Sequence, residues 1–245
     1  AAPAVPELIL LLQEKGGENI RRAAVECLAK IGPAAAEAIP ALLNAGKYEA
    51  VRAIGPREEH VPLLVNLLLD EREADDRHIF EILTAMGPQA KAAVPLLLDA
   101  ELKLADSRSA GCYQIPGILG AIGQPAVEPA MRIVRESFEN RRRPPDFLRR
   151  TVEQLAPLLV DDVSLFVGMF RDREWQSVAV AALKGLGQPA IEPLLKFLDD
   201  RDSFVRFGAM KTLGAMGAAA KPAIPRLIEF SKDHELQLRA QAARA

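Results

Sequence analysis

The feature that most constrains the fold is an apolar residue followed by glycine, which recurs along the chain at nearly regular spacing. The glycines are separated by 23, 32, 36, 64 and 30 residues, and the gap of 64 contains one degenerate repeat near Leu155-Ala156. The pairs are Ile31-Gly32, Ile54-Gly55, Met86-Gly87, Ile122-Gly123, Leu186-Gly187 and Met216-Gly217. A period of this length is typical of a repeat protein, so the sequence predicts seven repeats and a partial eighth.

Each repeat is predicted to contain two helices. A proline before an apolar run follows each glycine, and proline is tolerated in the first turn of a helix. These prolines are Pro40, Pro62, Pro95, Pro129, Pro193 and Pro225. The second helix, clearest from Val205 to Met216, follows an acidic turn that suits an N-terminal cap, and glycine in the left-handed conformation closes it.

Short helical hairpins bury their apolar faces only by stacking on one another. We therefore expect an all-α fold, an α-α superhelix or solenoid of about seven to eight two-helix repeats. The expected organisation is a single domain over residues 1–245, either complete or a fragment of a longer array.

A sequence motif within the second helices gives a resemblance to a known family. The motif is Ile20-Arg21-x-x-Ala24, it recurs as Val205-Arg206-x-x-Ala209, and Leu238-Arg239 begins a further copy. It resembles HEAT repeats, most of all the bacterial PBS-lyase HEAT-like repeats. The resemblance implies an armadillo-like helical fold in which the second helices line the concave surface. It implies little about function, since the family includes scaffolds, adaptors and a few enzymes.

Helical geometry separates a buried stripe from an outward column on the second helices. In the first repeat, the predicted buried stripe is Ile20, Ala24, Cys27, Leu28 and Ile31. The opposite side and its equivalents in later repeats form the outward column, which comprises Arg22, Glu26, Arg77, Glu81, Tyr113, Gly117, Arg150, Gln154, Ser177, Ala181, Phe207 and Lys211. Exposed aromatic and basic side chains make good partner anchors. The candidate binding residues in the column are Arg22, Arg77, Tyr113, Arg150, Phe207 and Lys211.

Three irregularities interrupt the repeats, and the first is the short repeat 2, with 23 residues between Gly32 and Gly55. Pro116 falls inside the predicted second helix of repeat 4, where a proline kinks a helix. Repeat 5 carries an insertion, Glu136 to Phe147, with Arg141, Arg142 and Arg143. We expect these three arginines to lie on an exposed loop and to bind an acidic surface, because the planar guanidinium matches carboxylate and phosphate groups.

The composition limits the choice of partner and of chemistry. The net charge of −2 gives no general affinity for polyanions. Cys27 and Cys112 are expected to be buried thiols, and Trp175 aligns with a core position. No apolar run approaches the length that spans a membrane. The Ala-Ala-Pro start leaves the location open: cytoplasmic by default, exported if it is the end of a processed signal peptide.

No catalytic or metal-binding constellation is evident, since His60, His78 and His234 are too few for a two-metal site. We therefore expect a scaffold or adaptor, not an enzyme, that binds a protein or peptide along the second-helix face without a cofactor or metal. Two alternatives stay open. One is a nucleic-acid-binding HEAT-like protein that uses the basic segment Arg132–Arg150, which the net charge disfavours. The other is a bilin-lyase-like enzyme or enzyme subunit.

Overall fold

A computed structural model of the chain describes residues 4–13, 17–70, 76–107 and 114–230. The described residues form helices and turns, and no strand occurs among them. The helices fall into two compact groups that divide between Ala100 and Glu101. The helices before this division form the N-terminal group, and those after it form the C-terminal group.

The helices alternate as the sequence predicts. The N-terminal group contains α1 (Val5–Gln13), α2 (Glu18–Ile31), α3 (Ile39–Asn44), α4 (Tyr48–Ile54), α5 (Val61–Leu69), α6 (Asp76–Met86) and the start of α7 (Ala93–Ser107). The C-terminal group contains the end of α7 and then α8 (Ile115–Ile122), α9 (Gln124–Glu139), α10 (Asp146–Leu155), α11 (Val163–Gly168), α12 (Gln176–Leu186), α13 (Ile191–Phe197), α14 (Ser203–Met216) and α15 (Ile224–Phe230). The odd-numbered helices are first helices of the repeats, and the even-numbered helices are second helices.

The second helices of consecutive repeats pack against one another within each group. In the N-terminal group α4 lies between α2 and α6, and in the C-terminal group the order of contact is α8, α10, α12 and α14. This packing buries the predicted apolar stripe: Trp175, directly before α12, and Ala179 and Leu183 within it are fully buried, as are Val205, Ala209 and Leu213 in α14. The predicted class, an all-α repeat of helical hairpins, is confirmed.

The glycines at the ends of the second helices have the positive φ that the prediction requires. All six predicted terminators have φ between 53° and 84°. The ψ angle differs from the prediction. Gly187 has φ 66° and ψ −133°, whereas a left-handed helical residue has ψ of about +47°. This backbone region is accessible to glycine and strained for other residues. Glycine therefore ends these helices, although not in the left-handed helical conformation that we expected.

The predicted stripe is wrong for part of the first repeat. Ala24 and Leu28 are buried, but Ile20 is 50% exposed and Cys27 is exposed as well. The short α4, with 7 residues against 14 in α2, does not reach the first turns of α2 around Ile20. The buried face of α2 is centred between Ala24 and Leu28, about 60° around the helix axis from Ile20. Cys27 lies roughly 80° from that centre on the other side. Cys112 lies outside the described residues.

Two irregularities are milder than the sequence suggests. Pro116 occupies the first turn of α8, where a proline costs little, so the predicted kink inside a second helix is wrong. Half of the insertion in repeat 5 is helical, because α9 starts directly after Gly123 and continues to Glu139, and α10 begins at Asp146. Pro129 therefore lies inside α9 rather than at the start of a first helix. Only residues 140–145 form the loop.

Replacing Gly187 with alanine tests the backbone requirement at a helix end. No atom lies within 4 Å of a Cβ at this position, so the cost comes from the positive φ alone. We expect Gly187→Ala to lower the free energy of unfolding by roughly 1–3 kcal/mol in urea denaturation.

The matched control is Gly168→Ala, at a residue that is helical with φ −55° and ψ −34° and also has no atom near a Cβ. This variant should be as stable as the wild type or slightly more stable. Equal effects of the two substitutions would contradict the assignment of Gly187 as a conformationally required helix terminator.

Candidate functional site

The arginine loop, residues 140–145, joins α9 to α10 and has a defined backbone conformation. The Arg142 amide donates to the Ser137 carbonyl at 2.9 Å, and the Arg141 amide donates to the Phe138 carbonyl at 3.0 Å. This pair of bonds is the Schellman pattern, in which the residue after the helix usually is glycine. Arg141 holds that position with φ 51°, where a side chain is disfavoured.

Trp175 connects the arginine loop to the next repeat. Its indole Nε1 donates a hydrogen bond of 2.9 Å to the carbonyl oxygen of Arg142, and its ring packs edge-on against Phe138 with centroids 5.5 Å apart. Trp175 is fully buried, as the sequence predicts. The hydrogen bond was not predicted, since it joins residues 33 positions apart. A buried indole fixes the backbone of the loop and leaves its arginine side chains outside.

A small depression adjoins the arginine loop. It has a volume of about 80 Å³ and is lined by Arg143, Pro144, Pro145, Asp146, Arg149, Glu174, Ser177 and Val178. Arg143 Nε lies 3.3 Å from a carboxylate oxygen of Glu174, and both side chains are largely exposed. Ser177 belongs to the predicted outward column. The structure therefore brings together two predicted features, the arginine loop and the second-helix column.

Arg141, Arg142 and Arg143 are all exposed, as predicted. Among the described residues, no ion pair involves the side chain of Arg141 or Arg142. Two arginines elsewhere in the basic segment are engaged: Arg135 binds Asp162 at 3.0 Å and Glu128 at 3.1 Å, and Arg149 binds Glu153 at 3.3 Å. These ion pairs interrupt the segment, so its exposed cationic groups do not form a continuous basic track.

The outward column is only partly accessible, since Ala181 of α12, which we expected to face outward, is buried. In the N-terminal group Arg22 and Arg77 are exposed, and each pairs with the glutamate four residues later, at 3.2 Å and 2.9 Å. In the C-terminal group Lys211 is exposed and Phe207 is partly exposed. Tyr113 lies outside the described residues. The column is therefore exposed at most candidate positions for which the structure gives a side chain.

Arg150 is half-buried and lies near Glu101, whose charge it stabilises. Burial nevertheless raises the pKa of the Glu101 carboxyl to about 7, because Glu101 is only 4% exposed. The hydroxyl of Thr151, next to Arg150, is buried without a hydrogen-bond partner in the described structure. Sequence reasoning missed this polar cluster, since Glu101 appears in the sequence as an ordinary helical glutamate.

A charged network joins α4 and α6 on the face of the N-terminal group that carries Arg77. Arg52 bonds to Glu81 at 2.8 Å and to the Nδ1 atom of His78 at 2.7 Å, and the His78 ring stacks on Tyr48. The pKa of Glu81 lies below its ordinary value because Arg77 donates a hydrogen bond to it, with Arg52 adding to the effect. These contacts tie consecutive second helices together.

The described residues include no cluster of three or more histidine, cysteine, aspartate or glutamate side chains arranged to hold a metal ion. A search of the same residues finds no helix with the length and apolar character needed to cross a bilayer.

Contacting second helices, most of them closed by a positive-φ glycine, place the chain in the class of α-helical repeat proteins. The family model for HEAT repeats matches residues 170–245, and the model for the PBS lyase HEAT-like repeat matches residues 20–45. These two matches agree with a HEAT-repeat protein related to the PBS-lyase HEAT-like family.

Comparison with solved structures returns an engineered protein and several designed armadillo repeat proteins. An engineered protein from a structural genomics consortium is 19% identical over 98% of this chain and 94% of its own, with a TM-score of 0.29. A designed armadillo repeat protein in complex with the peptide (KR)4 is 16% identical over 98% of this chain and 97% of its own, with a TM-score of 0.28. Such TM-scores carry no information about function. No curated protein matches the chain significantly.

The conformation of Arg141 leads to a stability prediction with an internal control. Arg141→Gly removes both the charge and the strain of a positive φ, whereas Arg141→Ala removes the charge and keeps the strain. We expect the glycine variant to exceed the alanine variant in free energy of unfolding by about 1 kcal/mol. Urea denaturation of both variants checks this, and equal stabilities would contradict a conformational cost at Arg141.

Burial of Glu101 leads to a prediction about pH. The folded protein keeps the Glu101 proton up to about pH 7, whereas an exposed glutamate releases it near 4.5. The contribution of the protonated Glu101 carboxyl to the free energy of unfolding is complete below pH 4.5. It is lost as the pH rises to about 7. We expect Glu101→Gln to match the wild type at pH 4 and to exceed it at pH 8 by roughly 1–3 kcal/mol.

Glu192→Gln, which removes an exposed carboxylate on α13, is the matched control for the change of side chain. Chemical denaturation at several pH values measures the difference. A constant difference between Glu101→Gln and the wild type would show that folding does not raise the pKa of the Glu101 carboxyl.

Proposed function

We propose that the protein is a scaffold that binds a protein or peptide partner through the outward face of its second helices and through the arginine loop. The observation that carries this proposal is the continuity of the two surfaces in the C-terminal group. The depression beside the arginine loop includes Ser177 of α12. Helices α10 and α14 both contact α12, and they carry Arg150 and Phe207 at positions equivalent to Ser177. In the N-terminal group, Arg22 and Arg77 occupy corresponding exposed positions.

The chemistry of this surface suits a macromolecular partner. Protein interfaces obtain most of their binding energy from a few aromatic and arginine anchors, and this face offers Phe207 with several arginines. Packed helices lie about 8–10 Å apart, so equivalent side chains on α10, α12 and α14 are spaced to contact an extended segment. A drug-sized small molecule needs a cavity of roughly 300 Å³ or more, which exceeds the depression of about 80 Å³.

Binding of nucleic acid is the weaker alternative. A protein that tracks a phosphate backbone needs several free cationic groups in a row. In the segment Arg132–Arg150 the ion pairs of Arg135, Arg143 and Arg149 already use three of these groups. The scaffold proposal has no such requirement, because a protein partner supplies its own mixture of charges.

The test uses a partner isolated on the immobilised full chain and then purified. Phe207→Ala and Lys211→Ala should weaken its affinity, measured by calorimetry, and the Phe207 substitution should cost about 2 kcal/mol if the ring is an anchor. Lys196→Ala, at an exposed position of the first helix α13, is the matched control and should bind like the wild type.

Unchanged affinity for Phe207→Ala and Lys211→Ala, with the fold intact by circular dichroism, would contradict binding at the second-helix face. A loss in the Lys196→Ala control alone would place the partner on the first helices instead.

A further inference from the structure

We propose that the arginine loop and its depression bind carboxylate side chains of an acidic peptide segment, and that Glu174 occupies part of this site as an internal competitor in the free protein. The inference rests on the proposed function and adds the chemistry of the partner at one defined place. It assigns Arg141, Arg142 and Arg143 to ligand binding and gives Glu174 a role that opposes binding.

Glu174 already shows how a carboxylate fits the depression. Its carboxylate lies 3.3 Å from Arg143 Nε, with the two side chains 82% and 60% exposed. Exposed ion pairs of this kind contribute little and are screened by salt, so an incoming carboxylate can replace Glu174 without a large loss. Arginine binds a carboxylate best through two parallel N–H bonds, a geometry that a mobile ligand can adopt.

The loop is preorganised for such a ligand. Arg141 and Arg142 have no ion-pair partner among the described residues, and the hydrogen bond from Trp175 fixes the backbone between them and Arg143. Pro144 and Pro145 restrict the following backbone. A fixed loop loses less conformational entropy when it binds than a flexible one. The strained φ of Arg141 is consistent with a cationic side chain that is retained for binding.

The neighbouring turns indicate a short acidic segment rather than a nucleic acid. The turns within repeats 5, 6 and 7, residues 140–145, 171–175 and 199–202, carry net charges of +3, 0 and −2. Ion pairs show that these turns are adjacent, since Arg143 contacts Glu174 and Arg171 contacts Asp200 and Asp202. A long polyanion that starts at the arginine loop and follows this edge would meet the acidic turn of repeat 7. A short acidic segment would not.

The experiment measures binding of a fluorescently labelled peptide of eight glutamates to the full chain by anisotropy at low ionic strength. We expect Glu174→Gln to bind the peptide about threefold more tightly, because the internal competitor loses its charge. Arg142→Gln and Arg141→Gln should each bind about fivefold more weakly. Glu192→Gln, which removes an exposed carboxylate on α13, is the matched control and should bind like the wild type.

The inference is wrong if the peptide binds neither the wild type nor Glu174→Gln. It is also wrong if none of the loop substitutions changes the affinity for the peptide. Tighter binding of a single-stranded DNA octamer than of the peptide would overturn it as well. Circular dichroism and thermal melting verify that each variant is folded. If the peptide fails while Phe207→Ala still weakens the isolated partner, this inference is wrong and the proposed function stands.

Discussion

Direct packing between second helices of consecutive repeats is the interaction on which the rest of this structure depends. In the C-terminal group the packing is close enough to require glycine. A Cβ on Gly185 of α12 would lie 2.4 Å from the Cβ of Ala156, which directly follows α10, and one on Gly120 of α8 would lie 2.9 Å from the Cβ of Gln154 in α10. The low aromatic content of 5% agrees with helices that approach through small side chains. Because the helices are held at this short distance, their outward side chains form one surface.

The sequence predicts the periodic part of the fold well, since period and helix ends are local properties. Each glycine pair marks the end of a second helix, and the apolar stripe of α12 and α14 follows from helical geometry alone. The errors arise where a neighbour decides burial. Ile20 is exposed because α4 is short, and Pro116 is harmless because the helix begins one residue before it. Neither fact is contained in the local pattern.

The sequence predicts only part of the candidate site, because contacts with neighbouring repeats determine the rest. The exposed arginines follow from their run of charge and the two prolines, and the sequence places them correctly on a loop. The contacts that give the loop its properties join different repeats. Trp175 meets the Arg142 carbonyl 33 residues away, and Glu174 meets Arg143. Glu101 shows the same limit, because only the packed structure buries its carboxyl and raises its pKa to about 7.

The central claim is that partners bind the outward face of the second helices together with the arginine loop. Hydrogen–deuterium exchange of the full chain, with and without its isolated partner, tests this claim most directly, since it reports every amide in one experiment. The account predicts that the partner slows exchange in residues 141–143 and in the first turns of α12 and α14, while the first helices α11 and α13 are unchanged. Slower exchange confined to α11 and α13 would contradict it.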